Sequence, residues 1–302
     1  MEKSGYEITI GMPVFNGEKY LDDSISAILN QTFKKFKLII SDNASTDKTQ
    51  VMCESYAIKD SRILYIRHEK NKGPYWNFNY VLKQAETEFF VWNAVDDIMK
   101  PTFLEKNLDN LRTKKNIVGS GCKIEYYKAS EENNEIRTNS FFSNLIKNLR
   151  NFLHPFNVSS INGSYEERVR SYLKKMSVLI FYSVFRTDVV KKSIIDEYFI
   201  AHDFAVTLNI LKFGNIDILD ETLLLRGDKG ISSKGMLTFI KLNSSMLGKF
   251  LPFYPFTSWC RKNLGYKIFF INFGYFIQLN LEGVTSLILD LLRCIISKFN
   301  EK

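Results

Sequence analysis

The stretch YEITIGMPVFNGEKYLDDSISAILNQTFKKFKLIISD, residues 6–42, predicts a strand, a helix and a second strand in succession. Both ends are rich in Ile, Val and Phe, which is typical of buried strands. Between them, apolar residues recur at the spacing of one helix face: Leu21, Ile25, Ile28 and Leu29. A strand–helix–strand unit of this length joins parallel strands through a right-handed crossover. The stretch therefore predicts an α/β fold.

The same alternation continues to residue 127. Further strand-like runs read RILYIRH, EFFVWNAV and NIVGSGCKIEYY, with helix-like runs between them. One helix, ASTDKTQVMCESYAIKD, opens with Ser45 or Thr46 as a plausible N-cap, and another, PTFLEKNLDNLRTKK, has Pro101 at its first position. We predict a mainly parallel sheet flanked by helices, in which ligands bind beyond the carboxyl ends of the strands.

The pattern loosens over residues 128–157, a polar insertion for which no element is predicted. It resumes with a helix, YEERVRSYLKK, a strand, SVLIFYSVFR, a helix, AHDFAVTLNILKFG, and the run NIDILDETLLLRGDKGISS, in which a strand ends at Arg226. From about Lys234 the composition becomes aromatic, basic and helical. We predict a main domain of residues 1–233 and a C-terminal helical segment of residues 234–302.

Composition excludes several classes of protein. The chain has 302 residues, 45% of them hydrophobic, which suffices for one large core. The four cysteines are far apart and lack zinc-ligand spacing, so neither a disulfide framework nor a zinc site is predicted: Cys53, Cys122, Cys260 and Cys294. The N-terminus lacks the pattern of a secretory signal. Together these features predict a cytoplasmic protein.

The formal net charge of +8 is concentrated at the C-terminal end, where residues 234–302 carry nine basic and three acidic side chains. A basic, aromatic-rich segment suits nucleic acid, an anionic membrane or an acidic partner, but no nucleic-acid-binding motif accompanies it. Its apolar helix faces favour an anchor on the cytoplasmic face of the inner membrane, or packing on the main domain or on a second subunit of a homo-oligomer. Polar interruptions argue against a spanning helix.

Two adjacent carboxylates, Asp96 and Asp97, follow the strand EFFVWNAV. Like charges side by side repel, so a cation is expected to compensate them. Oxygen ligands at this position suit Mg²⁺ or Mn²⁺ shared with substrate phosphates. Equally, either carboxylate could cap the helix that follows.

Other polar residues also follow predicted strands. Asp42 could accept hydrogen bonds from a nucleobase or ribose, while Ser45 and Thr46 could cap a helix. In NKGPYWNFN, Gly73 and Pro74 form a turn before a helix whose exposed amides could read ligand hydroxyls; these are Asn77 and Asn79. Lys72 could meet a phosphate, or these residues could simply form a solvated helix start.

Two further candidates lie late in the main domain. His202 and Asp203 open an amphipathic helix, where Asp203 could take a proton from a sugar hydroxyl or merely cap the helix. Arg226 ends a strand before a turn that contains Lys229, Ser232 and Ser233, all suited to a diphosphate or to a surface turn.

Taken together, these stretches resemble the family 2 glycosyltransferases with the GT-A fold over residues 8–233. The resemblance implies a nucleoside-diphosphate sugar donor, a divalent metal (Mn²⁺ or Mg²⁺) and a glycan or lipid-linked glycan acceptor in cell-surface polysaccharide synthesis. It implies Asp203 as the catalytic base and Asp97, with Asp96, as the metal site. It assigns the remaining donor-binding roles to Pro13, Phe15, Asn16, Asp42, Asn71, Gly73, Asn79, Asp96 and Arg226.

The sequence departs from the family pattern at two positions of the predicted site. Ala94 stands where the usual Asp-x-Asp-Asp motif has its first aspartate, and His202 replaces the glutamate that commonly precedes the base. The implied reaction is a single inverting displacement. Two alternatives stay open: a catalytically degenerate nucleotide-sugar-binding or scaffold subunit, suggested by Ala94, and a nucleotidyltransferase, which the stretch GMPVFNGEKY matches poorly.

Overall fold

The computed structural model of the chain describes residues 5–127, 158–227, 235–240 and 246–300. The predicted turn with Lys229, Ser232 and Ser233, the insertion at 128–157 and the boundary at Lys234 lie outside the described residues. The division into residues 1–233 and 234–302 therefore stays a prediction.

The strands agree with the predicted alternation in the first half of the chain. They are β1 (Ile8–Val14), β2 (Phe36–Asp42), β3 (Ile63–Arg67), β4 (Phe89–Trp92), β5 (Ile98–Met99), β6 (Ile117–Tyr127), β7 (Val184–Arg186) and β8 (Asn215–Gly227). All the described strands join one sheet, in the order β3-β2-β1-β4-β7-β6-β8-β5. Strands β1 to β4 run parallel to their neighbours in that group, and so do β6 and β8, whereas β7 and β5 pair antiparallel.

Helices flank this sheet and continue beyond it. They are α1 (Glu18–Leu29), α2 (Thr49–Lys59), α3 (Pro74–Lys83), α4 (Phe103–Thr113), α5 (Tyr165–Lys175), α6 (Thr187–Ser193), α7 (His202–Ile210), α8 (Met236–Ile240), α9 (Met246–Phe250), α10 (Tyr254–Asn263), α11 (Tyr266–Ile271) and α12 (Phe273–Asn300). The predicted α/β architecture with a mainly parallel sheet and a helical C-terminal segment is confirmed.

Three local predictions are wrong. Helix α2 begins at Thr49, so neither Ser45 nor Thr46 is its N-cap, and Ser45 instead accepts a hydrogen bond from the Asn16 backbone. Helix α4 begins at Phe103, because residues 101–102 form a turn before it. The run SVLIFYSVFR is a strand only at its end, since Val178–Tyr182 forms a 3₁₀ helix.

The centre of the sheet is fully buried. Every residue of β1 is buried, and the strand pairs with β2 on one side and β4 on the other. A β-carbon on Gly11 would lie 2.7 Å from Val81 Cγ2 and 2.8 Å from Phe90 Cζ. Helix α3 thus packs directly on the β1 backbone, and this contact holds the loops at the end of β1 in place.

We expect Gly11→Ala to lower the free energy of unfolding by about 1–3 kcal/mol, because the added methyl group overpacks this contact. Gly274→Ala is the matched control, since a β-carbon there meets no atom within 4 Å, and its stability should be unchanged or slightly raised. Urea unfolding followed by circular dichroism measures both. An unchanged Gly11→Ala variant would show that α3 does not lie this close to β1.

The C-terminal segment ends in a single helix, α12, of 28 residues. Within the described residues, Phe273–Leu292 is the one stretch long and apolar enough to cross a membrane by length and composition. The expectation that polar interruptions argue against a spanning helix stays a prediction.

Candidate functional site

The register of two antiparallel strands brings the predicted metal site and the predicted diphosphate ligand together. Strand β5 pairs with β8 through Ile98 opposite Leu225. Extending this register by one and two residues beyond β5 sets Asp97 opposite Arg226 and Asp96 opposite Gly227. Close packing agrees with this, since a β-carbon on Gly227 would lie 2.8 Å from three atoms of Asp96.

Asp97 is a buried carboxylate whose oxygens lack a hydrogen bond of normal geometry within the described part of the chain, although the Gly227 N–H is near enough to favour its charged form. Its side chain is 1% exposed. The backbone beside it is firmly held, because its carbonyl accepts hydrogen bonds from Ser24 Oγ at 3.1 Å and from Asn93 Nδ2 at 3.3 Å. Burial raises the pKa of Asp97 to about 7, against the charge of Arg226 and together with that of Asp96.

Arg226 supplies a positive charge to the same place. Its guanidinium lies 4.4 Å from the centre of the Tyr182 ring, and Nη2 donates a hydrogen bond to the Tyr182 hydroxyl at 3.4 Å. Nη1 is shielded from solvent and has no hydrogen-bond partner among the described residues. Burial opposes the charged form, but Tyr182 and Asp97 raise the pKa of Arg226 above its ordinary value. An unpaired N–H of this kind suits a phosphate oxygen.

Asp203 lies in the first turn of α7, as predicted. The residue before the helix, Ala201, has a left-handed backbone with φ of 72°, which is unfavourable for alanine and sets the direction in which the helix begins. Burial raises the pKa of Asp203 to about 6, although the Phe204 N–H and Arg226 act in the opposite direction. A carboxyl with this pKa is well matched to removing a proton near neutral pH.

His202 is not available as a base. Its side chain is 3% exposed, and Nε2 donates a hydrogen bond to the Ile195 carbonyl at 3.1 Å. Burial lowers the pKa of His202 to about 4, so the ring is neutral at pH 7. Of the two residues that open α7, Asp203 is therefore the one suited to proton transfer.

The loops after β1 and β2 are joined by hydrogen bonds. The Thr46 N–H donates to Asn16 Oδ1 and the Asn16 N–H donates to Ser45 Oγ, both at 2.8 Å. The Gly17 N–H donates to Thr49 Oγ1 at 2.8 Å. Phe15 remains 47% exposed beside this junction, and an aromatic side chain in that position can contact a nucleobase.

Asp42 is placed at the end of β2 as predicted, but it is fully buried. One carboxylate oxygen accepts from the Ser45 N–H at 2.8 Å and the other from the Tyr65 hydroxyl at 2.8 Å, with Arg67 Nε at 3.6 Å. Pro13 is also buried, inside β1. Both residues shape the site, and neither exposes its side chain to a ligand.

Asn71 and Gly73 are tied to the loop after β2 through Asn43. Asn43 Nδ2 donates a hydrogen bond to Asn71 Oδ1 at 2.9 Å and to the Gly73 carbonyl at 3.0 Å. Asn71 remains exposed. The structure thus holds the third loop against the second at the carboxyl edge of the sheet.

The expectation of exposed amides on α3 is wrong. Asn77 is 2% exposed and Asn79 6% exposed. Asn77 Nδ2 donates to the Ser41 carbonyl at 2.8 Å, and Asn79 Nδ2 donates to the Ile195 carbonyl at 3.2 Å. Their helix face points into the domain, so both amides satisfy buried backbone groups instead of meeting a ligand.

The donor set beside Arg226 fits a hard divalent cation that shares its coordination with a ligand. The described residues contain no group of three or more potential metal ligands. The two unpaired oxygens of Asp97, with Asp96 next to it, nevertheless match the way Mg²⁺ is bound by one or two carboxylates together with substrate phosphates and water. Ala94, at the position of the missing aspartate, contributes its carbonyl to the turn by accepting from the Asp97 N–H at 3.0 Å.

Several residues of the site carry no role in the sequence analysis. Tyr182 stacks on Arg226, and Tyr65 and Arg67 surround Asp42. Burial, and after it the charge of nearby Asp203, raises the pKa values of Tyr75 and Tyr172. Tyr65 and Arg67 are two residues apart at the end of a predicted strand, so the sequence pattern predicts that both side chains lie on the same face of the sheet. The position of Tyr182 depends on a 3₁₀ helix that the sequence pattern does not indicate.

A family model described as Glycosyl transferase family 2 matches residues 9–176. The chain is 34% identical over 124 residues to the putative glycosyltransferase EpsE of Bacillus subtilis (strain 168), which is 40% of this chain and 45% of EpsE. It is 33% identical over 118 residues to the minor teichoic acid biosynthesis protein GgaB of the same organism, covering 38% of this chain and 13% of GgaB. The chain spans less than half the length of these relatives.

The structure is also similar to a solved one. The mannosyltransferase PcManGT from Pyrobaculum calidifontis, in complex with GDP-Man and Mn²⁺, superposes with a TM-score of 0.58 at 11% sequence identity, over 96% of this chain and 75% of that chain. At this identity the likeness concerns the fold, which is of the GT-A type.

Proposed function

The chain belongs to glycosyl transferase family 2, and from this premise we propose that it moves a sugar from a nucleoside-diphosphate sugar to an acceptor hydroxyl with inversion at the anomeric carbon. One observation carries the proposal. Burial raises the pKa values of two carboxyls, Asp97 and Asp203, and both lie near enough to Arg226 for its charge to act in the opposite direction. One site therefore contains a cation that can stabilise a diphosphate leaving group and a carboxylate that can accept a proton.

Asp203 is the proposed base. The acceptor hydroxyl donates its proton to the Asp203 carboxylate while its oxygen forms a bond to the anomeric carbon. The bond from that carbon to the diphosphate oxygen breaks, and the electron pair leaves with the nucleoside diphosphate. Attack occurs on the face opposite the leaving group, so the reaction inverts the configuration in one step.

Arg226 is proposed to neutralise the departing diphosphate. Its Nη1 is buried and has no hydrogen-bond partner among the described residues, and a guanidinium N–H forms charge-assisted hydrogen bonds with phosphate oxygens. Tyr182 holds the guanidinium in place through the stacking contact. Asp97 and Asp96 would hold the divalent cation, Mn²⁺ or Mg²⁺, which when bound supplies Lewis-acid stabilisation of the same leaving group.

The nucleoside part of the donor is proposed to lie over the three joined loops. Phe15, Asn16 and Asn71 are exposed there, whereas Asp42 and Gly73 shape the loops from behind. PcManGT is described with GDP-Man and Mn²⁺, which supports a nucleoside-diphosphate sugar as the class of donor for this chain.

The acceptor is proposed to be a glycan or lipid-linked glycan in the synthesis of a cell-surface polysaccharide. The similarity to GgaB, described as a minor teichoic acid biosynthesis protein, supports this class. We place the reaction in the cytoplasm, at the cytoplasmic face of the inner membrane where a lipid-linked acceptor is presented. A homo-oligomer is compatible with this arrangement.

The test is a panel of nucleoside diphosphates and nucleoside-diphosphate sugars, each with and without Mn²⁺. We expect at least one nucleoside diphosphate at about 100 times its Kd to stabilise the protein by about 2.7 kcal/mol, and the matching sugar donor to be slowly hydrolysed. Stabilisation without turnover of any donor would instead identify a nucleotide-sugar-binding subunit. An absence of both would refute the proposed function.

A further inference from the structure

Helix α12 presents three different faces along its length. At 100° per residue, one face packs on the preceding helices: Phe276 and Leu279 are buried, and Gly283 lies against Phe253. A second face is polar and contains Gln278, which donates to Glu282 at 2.8 Å. Neither of these two faces accounts for the remaining apolar side chains.

The third face is apolar and exposed. Its residues fall within an arc of about 100° around the helix axis, and each is at least 44% exposed: Phe273, Ile277, Leu281, Ile288, Leu291, Leu292 and Ile295. At the N-terminal end the same surface continues onto α11, where Tyr266 stacks on Phe270 with ring centres 6.5 Å apart and Phe270 lies 6.3 Å from Phe273. The stripe therefore runs over both helices.

We infer that this stripe on α11 and α12 docks on the surface of an anionic lipid bilayer. A contiguous apolar surface of this extent is unusual on a protein that stays in water. This inference names the surface by which the protein would reach a lipid-linked acceptor, and in that respect it rests on the proposed function. The surface itself is defined by contacts that are independent of the catalytic residues.

Charge identifies the bilayer as the occupant. The described part of the segment exposes cationic side chains, among them Lys249, Arg261 and Lys262, and residues 234–302 as a whole have nine basic residues against three acidic ones. Pairing this segment with a second copy would bring two segments of net positive charge together. Anionic lipid headgroups complement the cations while the acyl boundary receives the apolar stripe.

Internal contacts hold α12 against the other helices of the C-terminal segment, which disfavours an arrangement that crosses the membrane. Asn280 Nδ2 donates to Thr257 Oγ1 at 2.8 Å. Asp290 Oδ2 accepts from the backbone N–H of Met236 at 2.5 Å and of Leu237 at 3.3 Å. A spanning arrangement would break these contacts and place Glu282 and Asp290 in the hydrocarbon region, where carboxylates are strongly unfavourable.

The experiment compares the full chain with two double variants. Leu281→Gln/Ile288→Gln removes two side chains of the stripe without changing charge. Val51→Gln/Ile58→Gln is the matched control, because these residues of α2 are 69% and 87% exposed on a different surface. Each protein is sedimented with vesicles of phosphatidylcholine alone or with 30% phosphatidylglycerol, at about 0.1 M salt where the Debye length is about 10 Å.

We expect the full chain to partition onto phosphatidylglycerol vesicles at least tenfold better than onto phosphatidylcholine vesicles. Leu281→Gln/Ile288→Gln should lose at least tenfold of that partitioning, and the control should keep it. Failure of the full chain to bind the anionic vesicles, or equal losses in both variants, would overturn the inference. So would a dimer in sedimentation velocity that the stripe variant dissociates.

Nucleoside-diphosphate stabilisation is measured on the same samples. Retention of this stabilisation in the stripe variant shows that its fold and donor site are intact, so a loss of vesicle binding then reflects the surface alone. Vesicle binding without nucleotide stabilisation in the full chain would instead refute the proposed function and leave the docking surface standing.

Discussion

Replacing Asp203 by asparagine is expected to lower kcat by about 10²–10⁴-fold, because the amide cannot accept the proton of the attacking hydroxyl. The half-buried position should tolerate an isosteric neutral side chain. Nucleoside-diphosphate affinity should therefore remain within about twofold, since the base acts on the acceptor. Steady-state kinetics with a donor identified in the panel, together with isothermal titration of the nucleoside diphosphate, measure the two quantities.

The pH dependence separates a base from a merely structural carboxylate. With the pKa of Asp203 near 6, wild-type kcat should rise about tenfold per pH unit below that value and level off above it. The residual activity of Asp203→Asn should lack this step. Asp196→Asn is the matched control, because that nearby side chain is 93% exposed, and it should behave as wild type. A variant at position 203 with the wild-type profile would exclude the assigned role.

The second large effect is expected for Asp97→Asn. We expect turnover in the presence of Mn²⁺ to fall by at least about 10²-fold, since the electrostatic stabilisation of a leaving group commonly contributes several kcal/mol. The additional stabilisation that Mn²⁺ gives to the nucleoside-diphosphate complex should also disappear. Thermal unfolding with nucleoside diphosphate, with and without Mn²⁺, reports this directly. Undiminished Mn²⁺-dependent turnover would contradict the assignment.

Asp97→Asn should also make the unliganded protein more stable above pH 7. The folded-state pKa of about 7 lies above the unfolded value of about 3.9. The stability that this group contributes is therefore complete below pH 4 and is lost as the pH rises to 7. Because asparagine does not ionise, the free energy of unfolding at pH 8 should rise by about 1–4 kcal/mol.

Asp217→Asn is the control for that stability measurement, because it should change the free energy of unfolding in the opposite direction. Burial acts to raise the pKa of Asp217, but hydrogen bonds from Lys114, Asn110 and Ser160 lower it overall. Its contribution is present above the unfolded pKa and is lost as the pH falls. Asp217→Asn should therefore destabilise the protein at pH 8, where Asp97→Asn stabilises it. Destabilisation by both variants would show that Asp97 is not an uncompensated buried charge.

Much of the fold is predictable from local pattern. The alternation of apolar strands and amphipathic helices over residues 6–127 is strong, and it correctly predicts parallel strands whose carboxyl ends carry polar residues. The direction and position of α7, and with it Asp203, follow from the same kind of pattern. These features depend on short-range periodicity, which is present in the sequence itself.

The remaining features depend on contacts between distant parts of the chain. Asn77 and Asn79 have residue types typical of an exposed helix start, but α3 buries that side against the sheet. Asp42 is paired by Tyr65 from the neighbouring strand. The cation opposite Asp97 is Arg226, and only the register between β5 and β8 reveals this. Pairing of distant strands is not encoded by local periodicity.

The Asp97–Arg226 register also has a consequence for how the protein is made. During synthesis from the N-terminus, the carboxylates and the first four parallel strands emerge long before Arg226, the penultimate residue of β8. Domains form as their segments leave the ribosome, and pairings between distant strands form late. A nascent chain that ends before β8 therefore holds Asp97 without its counter-charge and lacks half of the leaving-group site. On the proposed function, donor binding should therefore become available only after nearly all of the main domain has been translated.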